Sequence, residues 1–181
     1  MASAYSKNGF TLIEVIVSLG LLVLIFGGLI SLVIITREAE RSSKNSLIAS
    51  YLAFEGQELI RYRRDKNYID SLSPFNAIAT ETNNTEKYIL IDYTNTITEA
   101  SSADVKQAAT LEINNTPVQS EDYFYGYGLG SPTIFRRLIT TTYHSAAGLL
   151  PAYIDVKVEV YWQEDTKSDV YILTSQLTDW Q

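Results

Sequence analysis

The sequence predicts an α+β protein in which one long N-terminal helix, hydrophobic in its first half, packs on a small antiparallel β-sheet head. Three observations lead there. The run Leu12–Ile35 holds a single ionisable residue, Glu14, in 24 positions. No proline occurs before Pro74, so nothing interrupts a helix until then. In the last third of the chain, apolar and polar residues alternate over two adjacent stretches, the period of half-buried strands.

The segment 10–36 is the first element. Its 24-residue apolar run, Leu12–Ile35, rises ~1.5 Å per residue and reaches about 36 Å, enough to cross a hydrocarbon layer of roughly 30 Å. A secretory h-region is usually only about 7–15 residues long and ends at a small-residue site. The sequence Thr36-Arg37-Glu38-Ala39-Glu40 offers no such site, so the run reads as a retained anchor. Residues 37–67 continue the helix in amphipathic form. Ile48, Tyr51, Leu52, Leu59 and Tyr62 are expected to make one apolar stripe, opposite Lys44, Glu55, Glu58, Arg61 and Arg64. Between Phe10 and Asn67 the glycines are Gly20, Gly27, Gly28 and Gly56, and Gly27-Gly28 is the expected weak point of the helix.

Residues 68–181 form the β-rich head. Ser71–Pro74 is a break, and Thr80–Glu86 a polar turn. Lys87–Tyr93 and Ala109–Ile113 are expected as short strands, and Thr133–Tyr143 as a longer one with Phe135, Arg137, Ile139 and Tyr143 in one phase. Ile154, Val156, Val158, Val160 and Trp162 alternate with Asp155, Lys157 and Glu159. That strand is expected to turn at Glu164–Ser168 and return as Asp169–Leu177, in a sheet of three or four strands.

The junction before the anchor, Lys7-Asn8-Gly9-Phe10-Thr11-Leu12-Ile13-Glu14-Val15, resembles the processing and methylation site of the type IV pilin-like family, which includes minor pilins and type II secretion pseudopilins. The resemblance implies that a prepilin peptidase removes residues 1–9 by cutting between Gly9 and Phe10, that Phe10 is N-methylated, and that Glu14 serves assembly. It further implies a single-pass protein of the bacterial inner (cytoplasmic) membrane that later joins other pilin or pseudopilin subunits in an extracellular or cell-surface filament. The ending Leu177-Thr178-Asp179-Trp180 and the strand with Trp162 are more similar to minor pilins than to major ones. Many pilins carry a proline where this chain has Ser31. Counting Lys and Arg around the anchor sets Lys7 against Arg37, Arg41 and Lys44, which by itself would leave the head in the cytoplasm. An extracytoplasmic head therefore follows from the resemblance.

The remaining residues exclude several classes of chemistry. Formal net charge is −7, and the basic clusters are confined to Arg61–Arg64 and Arg136-Arg137, so no nucleic-acid contact is expected. With no cysteine and one histidine, His144, there is no thiol nucleophile and no cysteine-based zinc site. His144 reads as a surface or capping residue. Tyr125–Gly130 lacks the Lys-Ser/Thr of a phosphate loop. Tyr123, Phe124, Tyr125 and Tyr127 read as rings covering the sheet edge, with an exposed stacking surface as the other reading. Glu164, Asp165 and Asp169 do not match a calcium loop. Asn83 and Asn114 begin Asn-Asn-Thr sequons at a frequency near chance. Neither catalytic residues nor a cofactor or metal is expected. The other function consistent with the sequence is a membrane-anchored binding module outside any filament.

Overall fold

The computed structural model describes residues 9, 11–100, 103–113, 125–128, 130–164 and 166–179. The chain divides after Lys44 into two compact units. In the first, helix α1 (Leu12–Ile69) begins and runs through the apolar stretch without interruption. Gly27-Gly28 does not break it, and Ser31 Oγ donates to the Gly27 carbonyl at 3.1 Å. Ser18 and Thr36 donate in the same way to the Glu14 and Leu32 carbonyls, which satisfies their hydroxyls within the helix.

Among the described residues, the second unit contains the C-terminal part of α1 and seven strands: β1 (Glu86–Ile91), β2 (Ile97–Glu99), β3 (Thr110–Ile113), β4 (Tyr125–Gly126), β5 (Ser131–His144), β6 (Tyr153–Glu164) and β7 (Lys167–Thr178). All pairs are antiparallel. β5 is the centre. On one side its first half pairs with β3 and its second half with β1, and on the other it pairs with β6 from Phe135 to His144. β2 extends β1, β4 extends β3, and β7 pairs with β6 over twelve positions without a register shift. The expected strands are all present. The five expected strands share one sheet, more than the three or four expected, and the short β2 and β4, which carry no readable alternation, bring it to seven among the described residues.

Local chemistry sets the boundaries. Asp92 Oδ1 accepts from the backbone N–H groups of Thr94 and Thr96, an Asx-type turn that ends β1 at Ile91, two residues short of the expected limit. The β6–β7 turn is tighter than expected, because Glu164 pairs with Lys167 and leaves two residues between the strands. α1 ends in a Schellman motif. Leu72 N–H donates to the Asn67 carbonyl and Ser71 N–H to that of Tyr68, with Ser71 at φ 57° where glycine is usual. Asn67, fully buried, donates to the Pro74 and Asn76 carbonyls and holds the following loop.

The core of this unit lies between α1 and the inner face of the sheet. Ile154, Val156, Val158, Val160 and Trp162 of β6 meet Phe135 and Ile139 of β5, Ile89 and Ile91 of β1, and Phe75 and Ile78 of the loop. The helix face turned to them differs from the expected stripe. It consists of Asn45, Ala49, Leu52, Ala53, Gly56, Ile60, Arg64 and Asn67, while Tyr51 and Tyr62 are exposed. The reason is close approach. A Cβ on Gly56 would lie 3.1 Å from Arg137 Cδ, 3.2 Å from Val158 Cγ1 and 3.3 Å from Ile139 Cδ1. Only small residues fit that contact, so the bulky tyrosines turn outward.

Arg137 fills the centre of this contact with no exposed surface. Its guanidinium donates to the carbonyls of Leu52 (3.0 Å) and Ile91 (2.6 Å) and to Glu55 Oε2 (3.2 Å), joining helix, β5 and β1.

Candidate functional site

The helix start positions the residues singled out at the junction. Thr11 Oγ1 accepts from the Glu14 N–H at 3.4 Å, and the Thr11 carbonyl accepts from Val15 N–H. Thr11 thus occupies the N-cap and Glu14 the third helical position, the spacing of a capping box. A carboxylate there also meets the positive end of the helix dipole. Among the described residues no side chain pairs with the Glu14 carboxylate, which is exposed. Gly9 is exposed, and a Cβ built on it would touch nothing. Phe10 lies outside the described residues.

Past this start, every large apolar side chain from Leu12 to Ile35 is exposed, between 46% and 79%. The helix is long and apolar enough to cross a membrane, and none of its most hydrophobic stretch is buried within the chain. Exposure on that scale has to be covered by lipid or by other protein.

Among the described residues, no three or more histidines and acids stand close enough to hold a metal ion. His144, at the end of β5, shares its Nε2 with Asp155 Oδ2 at 2.8 Å and stacks on Tyr153 with ring centroids 4.4 Å apart. No hydroxyl among the described residues is bonded to the ring's other nitrogen, so a nucleophile–base–acid chain is not formed. Glu164 Oε2 accepts from Asn45 Nδ2 at 2.9 Å, while Asp165 lies outside the described residues.

Tyr127 packs against the core and donates its hydroxyl to the Arg137 carbonyl at 3.2 Å; Tyr125 is half-buried beside it. Burial pushes both phenols above their usual range, and for Tyr127 the Arg137 guanidinium opposes the rise only in part. These two rings therefore belong to the core. Tyr123, Phe124 and Asn114 lie outside the described residues. Asn83 Oδ1 accepts from Ser145 N–H at 3.0 Å.

The basic run at the helix end splits into two roles. Arg61 pairs with Glu58 at the surface at 2.6 Å. Arg64 is buried; its Nε donates to Asp65 and its NH1 to the Thr178 carbonyl at 3.3 Å, fastening the end of β7 to α1. The buried role of Arg137 is the other feature missing from the expectations. Its signal was a charge in the inward phase of β5, between Phe135 and Ile139.

Comparison with protein-family models, with curated proteins and with solved structures returned no match.

Proposed function

We propose that this chain is a minor subunit of a type IV pilus or related secretion filament, with a structural rather than catalytic role. One observation carries the reading: the string Gly9-Phe10-Thr11-Leu12-Ile13-Glu14 heads a helix whose apolar side chains find no cover within the chain. Cleavage after Gly9 by a prepilin peptidase would leave an α-ammonium on Phe10, one residue before the N-cap. An ionised acid in a membrane helix costs on the order of 3 kcal/mol at the centre, less near an end. A cation within about 4–6 Å offsets that cost. In a filament, the ammonium of a neighbouring subunit supplies the cation, and Glu14 then fixes axial register as a single buried polar residue does in a coiled coil. Repeating the same contact head to tail generates an open filament. The chain would sit in the cytoplasmic membrane before assembly and present its β-sheet unit at the cell surface afterwards.

Intact-mass spectrometry of the native protein tests the processing step. The expected product lacks residues 1–9 and carries one added methylene at Phe10. Full-length protein as the only species would overturn the reading in favour of a membrane-anchored binding module. Glu14→Ala tests the assembly step: filament incorporation should fall sharply while membrane insertion and cleavage persist, and normal incorporation would remove Glu14 from any role in register.

A further inference from the structure

Leu149, in the loop joining β5 to β6, is the most exposed large apolar side chain among the described residues, at 102%, and Leu150 beside it is 67% exposed. The β5–β6 ladder ends at the pair His144–Tyr153, whose rings stack with centroids 4.4 Å apart. Beyond that pair, both ends of the loop are tied to the body of the unit. Ser145 N–H donates to Asn83 Oδ1, and Asp179 N–H donates to the Ala152 carbonyl. Residues 146–151 then stand clear, all of them exposed. They read Ala-Ala-Gly-Leu-Leu-Pro, without one polar side chain. Ala147 and Leu150 exchange both backbone hydrogen bonds at 3.1 Å, with Gly148 at φ 62° and Leu149 outside the left-handed region. Glycine at positive φ in the first central position is the type II′ turn, so the two leucines are presented on a formed turn.

We infer that this turn docks on a lipid surface of zwitterionic headgroups, with Leu149 and Leu150 entering its apolar boundary. The inference concerns the second unit alone and is independent of the filament reading. Satisfied polarity selects lipid over protein. The apolar part of a bilayer offers no partner to a backbone N–H or carbonyl. Here Ala147 and Leu150 satisfy each other's, Pro151 has no N–H, and no side chain of the tip has a polar atom to desolvate. A socket on another protein makes no such demand, because it supplies hydrogen-bond partners of its own. The groove on the outer face of the sheet is lined by Glu86, Thr140, Thr142, Asp155, Lys157 and Thr174, so it is no apolar socket for the turn of a second copy. At the base of the loop, the stacked His144–Tyr153 pair places rings with polar tips where the headgroup level would lie. Charge selects the headgroup. No Lys or Arg occurs between Arg137 and Lys157, while Asp155 and Asp179 flank the base through His144 and Ala152. Anionic lipids are held by clustered basic residues, which this loop lacks.

The chain has no cysteine, so Ala147→Cys gives a single site for a fluorophore beside the turn. The labelled full chain is reconstituted in phosphatidylcholine vesicles. Lipids with nitroxide on their acyl chains are placed either in those vesicles or in protein-free ones added afterwards, so docking on the same bilayer and on a second one are both read. Nitroxide quenching is expected in at least one arrangement, together with protection from aqueous iodide. Leu149→Ser combined with Leu150→Ser, carrying the same label, should weaken docking at least about tenfold, the effect of withholding one leucine from burial. The thermal midpoint should stay at the wild-type value, because neither leucine belongs to the core. Four results would each overturn the inference: no quenching in either arrangement, quenching only when anionic lipid is added, an undiminished signal in the serine variant, or iodide protection without quenching, which marks a protein contact.

Discussion

The Arg137–Glu55 pair leads to an asymmetric prediction: removing the half-exposed acid should cost more than replacing the buried base. Arg137 has no exposed surface, whereas the Glu55 side chain retains 33% exposure. Among the described residues, Glu55 is the carboxylate within ion-pair distance of Arg137. Glu55→Ala therefore leaves a buried cation with two carbonyl partners and no adjacent anion. Breaking a buried pair in this way costs roughly 3–5 kcal/mol, and the partial exposure of Glu55 brings the expected loss to about 2–3 kcal/mol. Arg137→Met forfeits charged hydrogen bonds of ~1.5–3 kcal/mol each, but it also removes a desolvation penalty of several kcal/mol. Glu55 relaxes into water, so the net loss should be about 1 kcal/mol or less. In the double variant, the Glu55→Ala change should add almost nothing to Arg137→Met. The assay is thermal and urea unfolding of the full chain in detergent, followed by near-ultraviolet circular dichroism of the head's aromatic residues, where each kcal/mol moves the midpoint by a few °C. A larger loss in Arg137→Met than in Glu55→Ala would show that the carbonyl bonds, not the charge pair, hold helix and sheet together, and would refute the reasoning.

Three further outcomes are expected from the same assay. Gly56→Leu should lose at least about 2 kcal/mol, since the side chain meets three core atoms near 3.2 Å and the ~1 kcal/mol of regained helix propensity does not compensate. Ser71→Gly should gain about 0.5–1 kcal/mol, by relieving ~1–2 kcal/mol of left-handed strain against ~0.5–1 of added chain entropy. Tyr127 has a folded pKa raised above the ordinary 10.0, so its contribution is complete below that pH and is lost as pH rises through the folded value. Urea midpoints should thus fall above about pH 10, and Tyr127→Phe should flatten that decline relative to wild type; an unchanged slope would assign the loss to other groups.

The strands were legible where one face is buried and the other wet. β6 alternates from Ile154 to Trp162 because its even positions face the core under α1, while Asp155 and Lys157 are exposed on the other face. Only Tyr161 of that face is buried, in a small cluster with Leu90, Val105, Ala108 and Leu138. β2 and β4 were not legible, since strands of three and two residues carry no period and depend on the partner that captures them. The capping role of Thr11 was written in its spacing to Glu14, although the functional reading of Glu14 drew attention first. Arg136 and Arg137 look alike in sequence but face opposite ways. Arg136 donates to the Lys106 and Ala108 carbonyls near the surface, and Arg137 goes to the core. One-residue phase decides the difference, and it was available from Phe135 and Ile139 on either side.

The side-chain rows on the outer face of the sheet were hidden for the complementary reason. Glu86, Thr140, Asp155 and Thr174 are scattered over almost ninety residues, and only the pairing of four strands brings them into adjacent rows. The helix shows how a hydrophobicity rule can succeed and fail within one element. In its first half no polar face exists, so composition alone identifies a surface that other molecules must cover. In its second half the same rule assigns Tyr51 and Tyr62 to the core because they are large and apolar. Packing distance overrules it. A helix lying within van der Waals reach of Val158 and Ile139 has Gly56 at the close contact and buries Ala49, Leu52, Ala53 and Ile60 along the same face, while Tyr51 and Tyr62 stay outside. Burial in this head is thus set by the space between helix and sheet more than by the hydrophobicity of any one side chain. Gly56 contributes to stability there by having no side chain, while Gly20, Gly27 and Gly28, with nothing within 4 Å of an added Cβ, have no such reason inside the chain.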